Sequence, residues 1–185
     1  MESLADTMST QGLIVIAERP WRGVERVFDA PSPLIVGLDR VQDPGNVGTL
    51  MRTAEAAGAS GLLSFAGSAD AYAAKTLRSA MGSAFRLPVV VDVAGAGAIE
   101  ACRAKSIRCV AACGEADLAY DEYDWTQPVM LILGNEGRGV DDSLIRLCDT
   151  RVRIPLHAPV ESLNVAAAGA AILFEAARQR RVTRG

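Results

Sequence analysis

The stretch Ile154 to Ala177, IPLHAPVESLNVAAAGAAILFEAA, decides how this chain is read. A strand end over Arg151 to Ile154 runs through a loop punctuated by prolines to Ser162, Leu163 and Asn164. A helix of small residues then begins with no charge between. The first-turn N–H groups of that helix have no intrahelical partner, so Ser162 or Asn164 can cap them or turn outward toward a ligand. The same stretch taken alone also fits the start of an ordinary core helix. What lies upstream separates the two.

Working back from it, Val129 to Leu133 (VMLIL) is the most hydrophobic strand of the chain, and Leu34 to Leu38 (LIVGL) has the unbroken apolar character of a strand buried on both faces. Between them come a helix at TLMRTAEAAG stopped by Gly58, a strand at Gly61 to Phe65 and a helix from about Ala71 to Met81. A strand at Leu87 to Val91, a helix from about Gly97 to Lys105 and a strand at Ile107 to Ala112 follow, then an acidic loop from Glu115 to Asp124. Strands alternating with helices predict an α/β domain with a mainly parallel sheet flanked by helices. Residues 1–30 read as a linker and edge segment, with a short strand in LIVIA after Gly12, and residues 31–185 as the main domain.

Half of the 185 residues are apolar and few are aromatic, so the core should be aliphatic and rich in alanine. No run approaches membrane-spanning length, and Met1 to Gln11 lacks the order of a secretory signal, which points to the cytoplasm. Cys102, Cys109, Cys113 and Cys148 form no CxxC pair and read as small apolar residues rather than zinc ligands. His157 is the single histidine, which argues against a His-based metal site or a Ser/His/Asp triad. The net charge of −3 argues against global capture of nucleic acid, so any RNA contact has to be local or supplied by a partner or a further domain.

Ligands of open parallel sheets bind beyond the carboxyl ends of the strands, which directs attention to the loops there. After LIVGL, Asn46 is the expected N-cap of a helix whose buried stripe is Val47, Leu50, Met51, Ala54 and Ala57. Arg52 falls off that stripe. It reads either as a solvated partner of Glu55 at i+3 or as a fork of donors aimed at a phosphate or ribose oxygen. After VMLIL, GNEGRGV brings backbone groups within reach of a flat ligand, with Glu136 as its one carboxylate, or else makes a tight turn into a helix over Asp141 to Leu147. Neither a GxxxxGK[ST] loop nor a dinucleotide fingerprint is present, so a nicotinamide-dependent oxidoreductase is disfavoured.

Together, DPGNVGTLMRTAEAAG, LILGNEGRGV and IPLHAPVESLNVAAAGAAILFEA resemble motifs 1, 2 and 3 of the SpoU (TrmH-like) branch of the SPOUT RNA 2′-O-ribose methyltransferases, in order and at similar spacing, over about Gly12 to Arg180. The resemblance implies a C-terminal trefoil knot holding S-adenosyl-L-methionine, a homodimer that completes the sites, an rRNA or tRNA substrate, and no metal. It assigns Asn46 and Arg52 to motif 1, Glu136 to motif 2, and Ser162 and Asn164 to motif 3 as catalytic positions. Ala112, Gly134, Ile154 and Leu163 are the implied cofactor contacts, and Arg78 and Ser79, with Gly82, sit in KTLRSAMGSAF, which resembles a substrate-side stretch. Ala158 and Ala166 depart from the family's Gly and its Ser or Thr.

The implied reaction aligns a ribose 2′-hydroxyl with an activated methyl and removes a proton. A guanidinium is a poor base, so Arg52 is read as staying charged, binding the adjacent phosphate and stabilising the developing alkoxide. Asn46, Ser162 and Asn164 would orient ribose and cofactor, and Glu136 would position motif 1 or hold RNA. The tail Arg178, Arg180, Arg181 and Arg184 reads as a solvated helix end or a set of phosphate contacts. Many relatives carry an L30e-like RNA-capturing domain before a linker like LADTMSTQGLIVIAE, so the chain is expected to be a truncated or natural form lacking it. The rival reading from another class is a catalytically silent RNA-binding or ribosome-assembly module.

Overall fold

The computed structural model describes Ile16, Glu18 and residues 23–183. The strand expected in LIVIA and the tail residue Arg184 lie outside the described residues, apart from Ile16, which is in no strand. Among the described residues seven strands form one sheet: β1 (Leu34–Leu38), β2 (Gly61–Phe65), β3 (Val89–Val93), β4 (Arg108–Ala112), β5 (Leu118–Ala119), β6 (Val129–Leu133) and β7 (Thr150–Arg153). Their order is β3-β2-β1-β6-β4-β7-β5, and every pairing is parallel.

The two central strands show why LIVGL and VMLIL contain no polar face. Leu34, Val36 and Leu38 of β1 join Val129, Leu131 and Leu133 of β6 in one apolar layer, while Ile35, Met130 and Ile132 enter the other. Alternate side chains point to opposite faces, so burial on both sides demands an apolar residue at every position. The first layer is covered by α2 (Pro44–Ala56), α3 (Ala74–Ala80) and α7 (Val165–Thr183). Residues of α1 (Glu25–Phe28), α5 (Gly95–Ala104) and α6 (Asp142–Ile145) enter the second.

Several boundaries move for local reasons. Asp43, not Asn46, caps α2: its Oδ1 accepts from Gly45 N at 2.5 Å and Asn46 N at 3.2 Å, with Pro44 in the first turn. The helix expected over 71–81 ends at Ala80, because Met81 (φ 49°) and Gly82 (φ 87°) turn the chain left-handed before α4 (Ser83–Arg86). That extra turn delays β3 by two residues. The acidic loop contains the two-residue edge strand β5, and the helix expected over 141–147 is the single turn α6.

Burial suits the cysteines' apolar reading. Cys102 and Cys109 are buried and Cys113 and Cys148 half-buried, with the Cys148 thiol pushed up to about 12 by burial, so thiolate character at neutral pH is suppressed.

Helix α2 approaches α3 closely at Gly48. A Cβ there would sit 2.4 Å from Thr76 O and 2.9 Å from Ala80 N, backbone atoms that cannot swing aside. Helix propensity favours alanine over glycine by about 1 kcal/mol, whereas overpacking costs about 1–3 kcal/mol. Gly48→Ala should therefore lower the urea midpoint, and an equal or higher midpoint would contradict this tight crossing.

Candidate functional site

Three loops meet at the carboxyl edge of the sheet, and one carboxylate organises them. After β6 the chain folds into a closed turn: Asn135 and Gly139 exchange backbone hydrogen bonds of 3.0 and 2.8 Å, and Asn135 Oδ1 accepts from Gly137 N and Arg138 N. A Cβ on Gly134 would lie 2.1 Å from Gly139 C, so only glycine permits the closure. The turn carries Glu136 to the start of α2. There Oε2 accepts from Gln42 N at 3.1 Å, and Oε1 accepts from Asp43 N at 3.2 Å and from Asn46 Nδ2 at 3.0 Å.

A carboxylate only accepts, so Asn46 has to present its NH₂ to Glu136 and its oxygen to the next partner. That partner is Asn164, whose Nδ2 donates to Asn46 Oδ1 at 3.1 Å. The Asn164 oxygen in turn caps α7, accepting from Ala166 N at 2.9 Å and Ala167 N at 3.2 Å. One amide thus caps the helix and reaches across to a second loop. Glu136, Asn46 and Asn164, far apart in the chain, form a single directed relay.

Burial by itself would raise the Glu136 carboxyl, but the hydrogen bonds from Asn46, Gln42 N and Asp43 N outweigh it and hold the group below the ordinary carboxylate range. A second clamp fixes the same loops from beneath. Arg40, in a left-handed conformation (φ 55°), pairs with buried Asp39 at 3.2 Å and with Asp141 at 3.1 Å, while its carbonyl accepts from Asn135 Nδ2 at 2.9 Å. Asp39 also accepts from Asp141 N at 2.8 Å.

Beside the relay lies a cleft of about 240 Å³. Ala112, Gly134, Ile154 and Leu163 all line it, as do Glu136 and Ser162. Leu133, Val152 and Ile172 supply apolar walls, and Glu136 and Glu161 place two carboxylates on its lining.

Asn46, Asn164, Arg52, Arg78 and Ser79 do not line this cleft, and the two asparagines are joined to it through Glu136. Arg52 is exposed about 9 Å along α2 from Asn46, at the helical rise of 1.5 Å per residue. Its expected partner is taken: Glu55 is gripped by Arg86 of α4, Nε to Oε1 at 2.6 Å and Nη2 to Oε2 at 2.8 Å. Among the described residues, Arg52 makes no hydrogen bond or ion pair. Ser79 donates to Lys75 O within α3, and its Cβ faces Gly48.

The tail reading is corrected in part. Arg180 donates to the carbonyls of Trp125, Ser32 and Gln127 at 2.7–2.8 Å, and Arg178 pairs with Glu175 at 2.7 Å. These arginines staple α7 to the domain and to itself. Asp43 and Arg40 were missed as organising residues. Asp-Pro at a helix start was a readable cap signal, whereas nothing local marks an arginine that will bridge two distant acids.

A parallel sheet with a glycine turn, a threefold loop junction and a cleft at its carboxyl edge defines a ligand-binding α/β protein. The chain belongs to the SpoU rRNA Methylase family, whose model matches residues 33–174. It is 38% identical over 174 residues to the 23S rRNA (uridine(2479)-2'-O)-methyltransferase of Streptomyces viridochromogenes, covering 91% of this chain and 60% of that protein. It is 36% identical over 172 residues to the 23S rRNA (guanosine(2553)-2'-O)-methyltransferase RlmP of Bacillus subtilis, covering 93% and 67%. The chain therefore spans 60% to 67% of the length of these curated relatives. Among solved structures, the SpoU methyltransferase AviRb from Streptomyces viridochromogenes in complex with the cofactor AdoMet aligns with a TM-score of 0.82 at 36% identity, over 86% of this chain and 65% of that one.

Because the folded Glu136 carboxyl is depressed, its stabilisation is present above the unfolded value and is lost as pH falls through the folded one. Wild type should be more stable than Glu136→Gln at pH 7, and the gap should close on acidification below the carboxylate range. Denaturant unfolding at several pH values checks this; a pH-independent gap would mean that the charge on Glu136 is not what joins the loops.

Proposed function

We propose that this chain is the catalytic domain of an S-adenosyl-L-methionine-dependent RNA 2′-O-ribose methyltransferase. The observation that carries the reading is the Glu136–Asn46–Asn164 relay, which borders the cleft lined by Ala112, Gly134, Ile154 and Leu163. The cleft suits the cofactor chemically. Apolar walls accept a flat purine, the backbone of a glycine turn lies open to polar contact, and two carboxylates favour a cationic sulfonium or amino group.

S-adenosyl-L-methionine, when bound, supplies a methyl group that needs no further activation. The chain's residues then have to hold a ribose hydroxyl in line and support its loss of a proton. Asn46 and Asn164 fix the rim, Ser162 lines the cleft, and Arg52 keeps five donors available for a phosphate and a developing alkoxide. Ribosomal RNA is the favoured substrate class, because both curated relatives cited above are named as 23S rRNA methyltransferases. Arg78 and Ser79 are assigned to the substrate side.

Arg52 stands away from the cleft of its own subunit, which supports a homodimer in which each subunit completes the other's site. Val160, Leu163 and Phe174 are large apolar side chains left exposed on the motif 3 loop and the outer face of α7. A C-terminal knot belongs to the same reading. So does a division between a leading segment over residues 1–30, whose α1 packs into the core, and a catalytic domain over 31–185. Among the described residues no helix is long and apolar enough to cross a membrane, and we assign the protein to the cytoplasm.

Titration calorimetry with S-adenosyl-L-methionine should give saturable binding near one cofactor per chain; no binding would favour a silent RNA-binding module. Arg52→Lys keeps the charge and loses the fork, and should slow single-turnover methylation of RNA from cells lacking the gene by about 10²-fold with cofactor affinity unchanged. A near-normal rate would remove Arg52 from the chemistry. Sedimentation should give a dimer mass, and a concentration-independent monomer would overturn the shared-site arrangement.

A further inference from the structure

Helix α2 holds one cation, Arg52, and one carboxylate, Glu55, placed i and i+3 so that they share a face. Left to itself the helix would pair them. Instead Glu55 is held by the planar fork of Arg86, which occupies both carboxylate oxygens. The Arg86 grip keeps the Glu55 carboxyl below the ordinary carboxylate range. Gly82, in the left-handed link between α3 and α4, leaves room for that guanidinium. A Cβ on Gly82 would lie 2.8 Å from Arg86 Nη1 and displace the guanidinium.

We infer that Arg86 is a positioning residue for Arg52: by occupying Glu55 it denies Arg52 its neighbouring carboxylate and leaves that guanidinium available to an RNA phosphate. The inference rests on the reading of Arg52 as a substrate-facing group, and it adds Arg86 as the residue that keeps Glu55 from it. Released from Arg86, Glu55 acts twice over. It pairs with Arg52, and its charge, no longer neutralised by Arg86, offsets that of Arg52 toward a phosphate.

Phenylglyoxal labelling of the full chain with peptide mass mapping reads each guanidinium separately, with exposed Arg151 as internal reference. Arg86→Met keeps the aliphatic stem and removes the fork, and labelling of Arg52 should slow about twofold, the ordinary strength of a helical i,i+3 pair. Arg86→Met with Glu55→Gln should restore the wild-type rate, a rescue that lost packing does not produce. Arg86→Lys, which keeps the charge without the fork, should also slow Arg52 and serves if the Met variant misfolds. An Arg52 rate unchanged in both Arg86 variants, or slowing that Glu55→Gln fails to relieve, overturns the inference. With RNA from cells lacking the gene, half-saturation for single-turnover methylation should rise about fivefold in Arg86→Met and recover in the double variant. If Arg52→Gln methylates normally while the labelling pattern holds, the function assigned to Arg52 fails and the role of Arg86 toward it stands.

Discussion

A carboxylate can only accept hydrogen bonds, and that single restriction gives the loop junction its direction. Glu136 faces two backbone N–H groups and one amide, so Asn46 cannot turn the other way without placing its oxygen against a carboxylate. Its remaining oxygen calls for a donor, and Asn164 provides one. The Asn164 oxygen is then left for the first turn of α7, where unpaired N–H groups need an acceptor. The start of the last helix is thus tied, bond by bond, to a turn after β6 and to the start of α2. Charged hydrogen bonds are the stronger kind, so the anchor sits at the end of the relay where it counts most.

The sheet makes the junction possible. β1 and β6 are neighbours, and β4 and β7 follow on the far side of β6, so the loops after β1, β4, β6 and β7 leave the same edge. Bringing their backbones together leaves no room for side chains at the contact points. Gly134 closes the turn on itself, and Gly169 lets α7 settle against Leu50 and Leu133, where a Cβ would meet methyl carbons at 2.4 and 2.8 Å. Close approach and polar precision depend on one another here: the relay bonds are about 3 Å long because the helices carrying them can pack tightly.

The strands that lie deepest were the most legible. LIVGL, GLLSF and VMLIL match their sequence-based limits, since burial on both faces leaves a largely apolar run whose strand length and flanking turn residues separate it from a helix. Elements near the surface were harder, because their limits depend on single residues in unusual conformations, such as Met81 entering the left-handed region without being glycine. The candidate site was legible as three motifs, which named Asn46, Glu136 and Asn164, but not as a network. Whether Asn46 caps its helix or serves the junction is decided by Asp43, three residues earlier, taking the cap. Whether Arg52 pairs with Glu55 is decided by Arg86, on another helix. Competition between partners is a property of the folded chain, and spacing within one helix does not contain it.

The same competition explains how an acidic chain can leave a guanidinium uncommitted. At physiological ionic strength exposed charges are screened within about 8 Å, so the net charge of −3 matters less than what stands at the rim. At the rim and along α2, four acids are paired with cations. Asp39 and Asp141 share Arg40, Asp43 meets Lys75 at 3.1 Å, and Glu55 meets Arg86. Glu136 is surrounded by N–H donors rather than cations, so its charge is spread into the backbone of the α2 start. Each pairing is weak by itself at an exposed surface. Their joint effect is to pair the carboxylates on and beside α2 and leave the Arg52 guanidinium uncommitted, while Glu136 and Glu161 keep the cleft itself acidic, a local field that the overall composition conceals.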